Sequence, residues 1–309
     1  MQLAIIESYC ALVSGISVVT TGVLNELERY HFLKNLTLTI RGRQHHFDNC
    51  VVMGILNLTP DSFYDGGLRN DRKSILQHVS YMLEEGADII DVGAYSTRPG
   101  ASVISEEEEW DRMGSTIGDI LKAFPEALVS VDTFRTEIAR KSVSEGASII
   151  NDITAGKSQG MFDIAAKEGL PFVAMHMQGN PSTMQVDPKY SDVVMEVKKF
   201  LAERVNAARK AGVKDIIVDP GFGFGKSLED NYVLLRKLHA LEDMACPILV
   251  GVSRKSMVNK VLGTKAVEAL NGSTVLHTIA LQNGANILRV HDVRQAKEAV
   301  KIVSYLQKE

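Results

Sequence analysis

The chain has 309 residues, with 34 Lys+Arg against 38 Asp+Glu and a formal net charge of −4, a balance that argues against a basic surface for nucleic acid or anionic membrane. At 45% hydrophobic and 23% charged, with 24 glycines and 8 prolines, it is an ordinary globular composition that excludes disorder, collagen and disulfide scaffolds. Cys10, Cys50 and Cys246 are far apart and form no C-x-x-C pair, so they read as buried reduced thiols in a cytoplasmic protein.

Residues 8–25 carry no charge, but Ser, Thr, Gly and Asn25 dilute them and the first arginine is Arg29; neither a secretory leader nor a membrane span is expected. Residues 1–35 are an N-terminal extension of unknown role, and 36–309 read as one domain. Eight apolar runs follow, near 51–57, 88–92, 128–132, 148–152, 172–177, 216–219, 248–253 and 286–290, each closing on a polar residue and leading into a helical pattern. Eight such units predict an α/β fold of the (β/α)₈ TIM-barrel type. Gly-Ala pairs recur where helices give way to strands, at Gly86-Ala87, Gly146-Ala147 and Gly284-Ala285, with glycine as the left-handed helix stop. Helix starts are signalled by Ser105–Glu108, a capping box, and more weakly by Asp292–Gln295.

An open doubly wound sheet also alternates strand and helix, but Met53-Gly54-Ile55-Leu56-Asn57 lacks its G-x-G-x-x-G fingerprint. Gly221–Ser227 imitates a phosphate loop, yet Pro220 stands where that motif requires glycine.

A barrel builds its active site at the C-terminal ends of its strands, which points to Asn57, Asp91, Asp132, Asn151 with Asp152, His176, Asp219, Ser253–Lys255, and Arg289 with His291. Each could simply cap the following helix or turn. Asp132, Asn151 and Asp219 together offer carboxylate acceptors and an amide, a set suited to a flat guanidine-like heterocycle; the competing reading of the carboxylates is a structural ion pair. Basic groups after the last two strands, Arg254, Lys255, Arg289 and His291, mark a phosphate region. Asn57 could give a neutral oxygen to Mg²⁺. The loops 59–67 and 95–101 could close over a substrate. His31, His45, His46, His78, His239 and His277 read as helix-face or early-turn histidines, and Met175 and Met177 as strand packing.

Taken in order, Asn57-Leu58-Thr59-Pro60-Asp61-Ser62-Phe63, Ser96-Thr97-Arg98-Pro99-Gly100, Asp219-Pro220-Gly221-Phe222-Gly223-Phe224-Gly225-Lys226, Ser253–Ser256 and Arg289-Val290-His291-Asp292 resemble the dihydropteroate synthase family, from about residue 36 onward. The resemblance implies a TIM barrel, commonly a homodimer, that condenses 7,8-dihydropterin-6-ylmethyl diphosphate with 4-aminobenzoate to give 7,8-dihydropteroate and diphosphate in folate biosynthesis, with Mg²⁺ as cofactor. It implies Asp132, Asn151, Asp219 and Lys255 as pterin ligands, supported by Asp91. Asn57, Arg289 and His291 would hold diphosphate, with Asn57 also toward the metal. Phe63, Thr97, Arg98, Pro99, Phe224 and Ser256 would form the 4-aminobenzoate pocket, where sulfonamides compete, and Asp61 would join the closed arrangement. Catalysis would rest on Asp132, Lys255, Asp219 and Asp61. Neither nucleic acid nor membrane is an expected partner.

One departure stands out: Ala94-Tyr95 occupies places where the family often has Gly-Glu. Two alternatives share the pterin set, a pterin-binding methyltransferase domain and a catalytically silent pterin-binding paralogue. The Thr97-Arg98-Pro99 and Ser253–Ser256 runs favour the synthase.

Overall fold

The computed structural model describes residues 36–59, 72–96, 103–179, 184 and 188–306. It opens with a hairpin, β1 (Leu36–Ile40) and β2 (Arg43–Phe47), paired antiparallel from Leu36↔Phe47 to Ile40↔Arg43. Its two-residue turn, Arg41-Gly42, has positive φ at both positions (50° and 81°), the mirror-image turn that matches the twist of a hairpin. The sequence reading missed this hairpin and assigned His45 and His46 to helix faces or an early turn. They lie on β2, with His46 Nδ1 2.9 Å from Thr37 Oγ1.

The barrel strands are β3 (Val51–Asn57), β4 (Ile89–Gly93), β5 (Leu128–Asp132), β6 (Ile149–Asp152), β7 (Phe172–Met175), β8 (Ile216–Asp219), β9 (Leu249–Val250) and β10 (Ile287–Val290). They form one parallel sheet in the order β8-β7-β6-β5-β4-β3-β10-β9. A bridge between Val218 and Ile248, with Val218 N donating to Pro247 O at 2.9 Å, joins the two ends. The eight runs read from the sequence coincide with these strands to within a few residues, because strands buried on both faces must be apolar almost throughout. Val51, Val52, Ile89, Ile90, Ile149, Ile150, Phe172 and Val173 are all fully buried.

Helices α1 (Arg72–Glu84), α2 (Glu106–Met113), α3 (Thr116–Ala123), α4 (Thr136–Ser144), α5 (Met161–Glu168), α6 (Val193–Lys210), α7 (Leu228–Arg236), α8 (Ser256–Leu262), α9 (Leu270–Gln282) and α10 (Val293–Leu306) connect the strands. The Gly-Ala stops behave as expected. Ala87 N donates to Met82 O, Ala147 N to Ser142 O and Ala285 N to Ala280 O, and each preceding glycine has positive φ, the wrapped helix end that turns the chain back into the next strand. Ser105 caps α2 through Glu108 N at 3.0 Å, but Glu108 turns to Arg112 at 2.7 Å instead of completing the box. A reciprocal box forms at Ser227 and Asp230, opening α7.

The hairpin sits against the ends where strands begin. Arg41 N donates to Gly169 O (2.9 Å), its Nη2 to Val143 O (3.0 Å) and Ala147 O (3.2 Å), and Thr39 N to Asp215 Oδ2 (3.0 Å). That leaves the opposite, C-terminal mouth for chemistry. Cys50 and Cys246 are buried free thiols, burial raising both out of the reactive range; Cys10 lies outside the described residues. Among the described residues no helix is long and apolar enough to cross a membrane.

Phe172 is fully buried in β7 and meets Phe162 of α5 edge-to-face at 5.0 Å. Phe172→Ala is expected to lower the unfolding free energy by about 3–5 kcal/mol in denaturant titration; a loss under about 1 kcal/mol contradicts this account of the core.

Candidate active site

Strand register decides which polar residues share a level. Asn57 pairs with Gly93, Gly93 with Asp132, and Asp132 with Asn151, so one layer at the barrel mouth carries an amide, a gap, a carboxylate and an amide. A Cβ at Gly93 would come within 3.2 Å of Asp132 Cβ; its absence leaves room for the carboxylate.

Arg289 of β10 reaches across this layer. Its Nε donates to Asp91 Oδ2 at 2.7 Å and its Nη2 to Asp132 Oδ2 at 2.6 Å, while Asn151 Nδ2 donates to the same Asp91 oxygen at 3.1 Å. Asp91 is fully buried and its other oxygen, Oδ1, has no hydrogen-bond partner. One guanidinium thus spans two carboxylates. Burial pushes the Asp132 carboxyl upward, Arg289 opposes this, and Asp91 adds to it. Burial alone would lower the Arg289 guanidinium, but Asp91 and Asp132 together raise it, so it stays charged.

The opposite wall comes from β8 and the turn after it. Asp219, 6% exposed, accepts from Gly221 N through Oδ1 at 2.7 Å. Lys255, just before α8, donates to Phe222 O at 2.5 Å and lies 4.7 Å from the Phe224 ring centroid. Burial pushes its ammonium down to about 8, with Asp219 opposing and Arg289 adding to the fall. Burial likewise raises Asp219, against Lys255 and the Gly221 N–H. The turn depends on a close backbone approach. Gly221 has φ +68°, and a Cβ there would collide with the His176 carbonyl.

The remaining predicted residues separate. His291 is exposed, and Ser253 Oγ lies 3.1 Å from both its backbone N and its Nδ1. Ser256 is exposed at the start of α8. Asp152 turns away and holds the turn after β6, accepting from Thr154 N and Gly156 N, each at 2.7 Å. Arg254, read as one of four cations for phosphate, is instead held bidentate by Asp292 (Nε 2.8 Å, Nη2 2.6 Å); a guanidinium already matched to a carboxylate on its planar edge is a structural clamp between β9 and β10. Met175 and Met177 form a small apolar cluster with Ile153 and Met184 against Phe134 and Phe224, as packing residues. Asp61, Phe63, Thr97, Arg98 and Pro99 lie outside the described residues.

Two features escaped the sequence reading. Glu109 sits fully buried, accepting from Thr133 Oγ1 (2.7 Å) and Arg135 Nη1 (2.8 Å), and Arg135 also lies 5.3 Å from the Tyr95 ring and 5.5 Å from the Phe134 ring. Tyr95, at the departure from the family pattern, is thereby packed on Phe134 edge-to-face at 5.1 Å. The second is a buried Lys226–His176 contact of 3.0 Å. His176 is among the strand-end residues read from the sequence; its partner Lys226, fifty positions on, is what the sequence gives no signal for.

A closed parallel barrel whose charged and amide side chains gather at the C-terminal mouth defines a (β/α)₈-barrel enzyme. Residues 53–291 match the family described as pterin binding enzyme. Dihydropteroate synthase of Escherichia coli is 47% identical over 254 residues, 82% of this chain and 90% of the relative. The solved dihydropteroate synthase of Yersinia pestis in a sulfonamide drug complex superposes with TM-score 0.83 at 42% identity, covering 88% of this chain and 99% of that one. The Xanthomonas albilineans enzyme in complex with 7,8-dihydropteroate gives TM-score 0.79 at 38% identity, covering 89% and 100%. The chain belongs to the pterin-binding enzyme family and is a transferase of the dihydropteroate synthase type.

Asp91 is the partner shared by Arg289 and Asn151, and losing it strands a partly buried cation. Asp91→Ala is expected to destabilise by about 3 kcal/mol, the low end for breaking a buried pair because Arg289 keeps Asp132. Chemical denaturation checks this, and an unchanged midpoint contradicts it.

Proposed function

We propose that this chain condenses 7,8-dihydropterin-6-ylmethyl diphosphate with 4-aminobenzoate to form 7,8-dihydropteroate and diphosphate, supplying folate synthesis in the cytoplasm. The observation that carries the reading is the pairing of Asp132 with Asn151 across β5 and β6, with Arg289 on Asp132 at 2.6 Å and with Lys255, which feels both Asp219 and Asp132, held at Phe222 O beside the Phe224 ring. A carboxylate accepts two parallel N–H bonds from the amino-pyrimidine edge of a pterin, and an ammonium donates to its carbonyl; each pairing is charge-assisted. Asp132, Asn151, Asp219 and Lys255 hold the pterin in this reading, with Asp91 behind them. The diphosphate falls to Asn57, Arg289 and His291, and 4-aminobenzoate to the side of Phe224 and Ser256, with Phe63, Thr97, Arg98 and Pro99 from the two long loops. Sulfonamides imitate 4-aminobenzoate there.

The bond that breaks joins a methylene carbon to a diphosphate oxygen. An electron-rich dihydropterin delocalises the positive charge that appears as this oxygen leaves, and Asp132 and Asp219 are placed to stabilise that charge. The arylamine nitrogen then bonds the methylene carbon with its own lone pair and gives its proton to water or to the departed diphosphate, so no side-chain nucleophile is needed. Asp61 belongs to the closed state in this mechanism. Among the described residues no three His, Cys, Asp or Glu are grouped to hold a metal ion; the one neutral amide of Asn57 suits Mg²⁺ held mainly by diphosphate and water. When bound, such an ion supplies charge neutralisation to the leaving diphosphate.

Exposed Val261 and Leu262 on α8, Val275 on α9 and Ile302 on α10 support a homodimer built on these neighbouring helices.

Chromatographic detection of dihydropteroate, with Mg²⁺ required and activity reduced at least about 100-fold in Asp132→Ala and Lys255→Ala, is the expected outcome. No product with pterin retained turns the assignment to a silent pterin binder, and methyl transfer from a methylated folate turns it to the methyltransferase. A covalent enzyme–pterin adduct contradicts the mechanism. Because Lys255 loses its proton at about 8, kcat/KM is expected to fall on the alkaline side with an apparent pKa near that value. A limb displaced to the ordinary lysine range of about 10.4 contradicts the role of this ammonium.

A further inference from the structure

Two lysines grip one turn. Lys255 holds residues 222–224 through Phe222 O and the Phe224 ring. Lys226, only 3% exposed, holds the same segment at its two flanks, donating to Gly221 O at 2.8 Å and Phe224 O at 3.1 Å, and its Nζ lies 3.0 Å from His176 Nδ1. An ammonium has three N–H groups, and these are three acceptors. All of them are neutral, although buried cations are ordinarily matched by a carboxylate. The acceptors are supplied by the turn that follows Asp219 and by the residue after β7.

We propose that Lys226, seated on His176, is a positioning residue for the transferase reaction: it fixes the 221–224 turn so that Asp219, Phe222 O and the Phe224 ring stand where Lys255 and the substrates meet them. The proposal rests on the reaction proposed above. His176 is held for this task. Its ring meets Phe200 edge-to-face at 5.0 Å, and its backbone N donates to Asp219 O at 2.9 Å. Burial and Lys226 push its imidazole down to about 3, so it is neutral and can offer Nδ1 as an acceptor. Burial lowers Lys226 to about 7, with Asp219 and Asp230 opposing and Lys255 adding to the fall, so the ammonium that fills all three acceptors is the form below that pH. Tyr190 gives the turn a further tie, its hydroxyl donating to Gly225 O at 2.7 Å. Lys226 touches the turn's carbonyls and His176 and acts on the site through them.

The test compares the full-length chain with Lys226→Met, which keeps the stem and removes the donors, and His176→Asn, which keeps the lysine and alters one acceptor. Amide hydrogen exchange at residues 221–225 is expected to quicken by at least about tenfold in Lys226→Met, with the rest of the barrel unchanged. The KM for the pterin diphosphate is expected to rise at least about tenfold, with kcat falling by a smaller factor, because the lysine acts on the site through the turn and Asp219 and not on the reacting atoms. His176→Asn shifts both in the same direction by less, and decides the matter if Lys226→Met does not fold. Faster exchange without a KM rise overturns the proposal in favour of a purely structural role, and unchanged exchange or a loss confined to kcat overturns it outright. If the unaltered chain makes no dihydropteroate, the reaction assignment fails on its own, and exchange at 221–225 still decides whether Lys226 holds the turn.

Discussion

The fold and the site meet in one interaction, the guanidinium of Arg289 held between Asp91 and Asp132. Arg289 stands on β10, its partners on β4 and β5, and β3 lies between them. A charge is costly to bury unless its partners are themselves fixed, so this ion pair demands a closed barrel with the registered layer Asn57–Gly93–Asp132–Asn151. The barrel in turn is what brings residues nearly two hundred positions apart in the chain to within hydrogen-bond reach. Asn151 belongs to the same constraint through the oxygen of Asp91 that Arg289 uses.

The charges divide by wall. On one side Arg289 organises two carboxylates; on the other Asp219 faces Lys255, and the glycine-rich turn shares its carbonyls between Lys255 and Lys226. Such a site is preorganised: its dipoles and charges are fixed by contacts within the protein before a ligand arrives, which is the condition under which electrostatics lower a barrier without reorganisation. The hairpin covers the far end of the barrel, and Arg254 with Asp292 clamps the ends of β9 and β10, so that both the base and the rim of the mouth are held by contacts within the protein.

Much of this was legible in the sequence because burial on both faces writes a parallel strand as an unbroken apolar run, and the first polar residue after it marks the mouth. Asn57, Asp91, Asp132, Asn151 and Asp219 were found that way, as were the Gly-Ala helix stops. What escaped depends on partners distant in the chain. Arg254 looked like Lys255 and Arg289 in sequence, and only the tertiary fold sets Asp292 against it. Glu109 was hidden in a run of four glutamates whose neighbours face solvent. The hairpin was missed because five residues per strand give a weak alternation, and β2 carries Arg, Gln and two histidines. Asp61, Phe63, Thr97, Arg98 and Pro99 rest on the resemblance to the family and lie outside the described residues.

The central claim is that the mouth between Asp132, Asn151, Asp219 and Lys255 is a pterin site. A crystal structure of this chain with 7,8-dihydropteroate tests it most directly. The account predicts the pterin ring among those four side chains, its amino-pyrimidine edge on a carboxylate and its aryl end beside Phe224. A pterin ring bound elsewhere, with Arg289 still bridging Asp91 and Asp132 and the four side chains without contact to it, would contradict it.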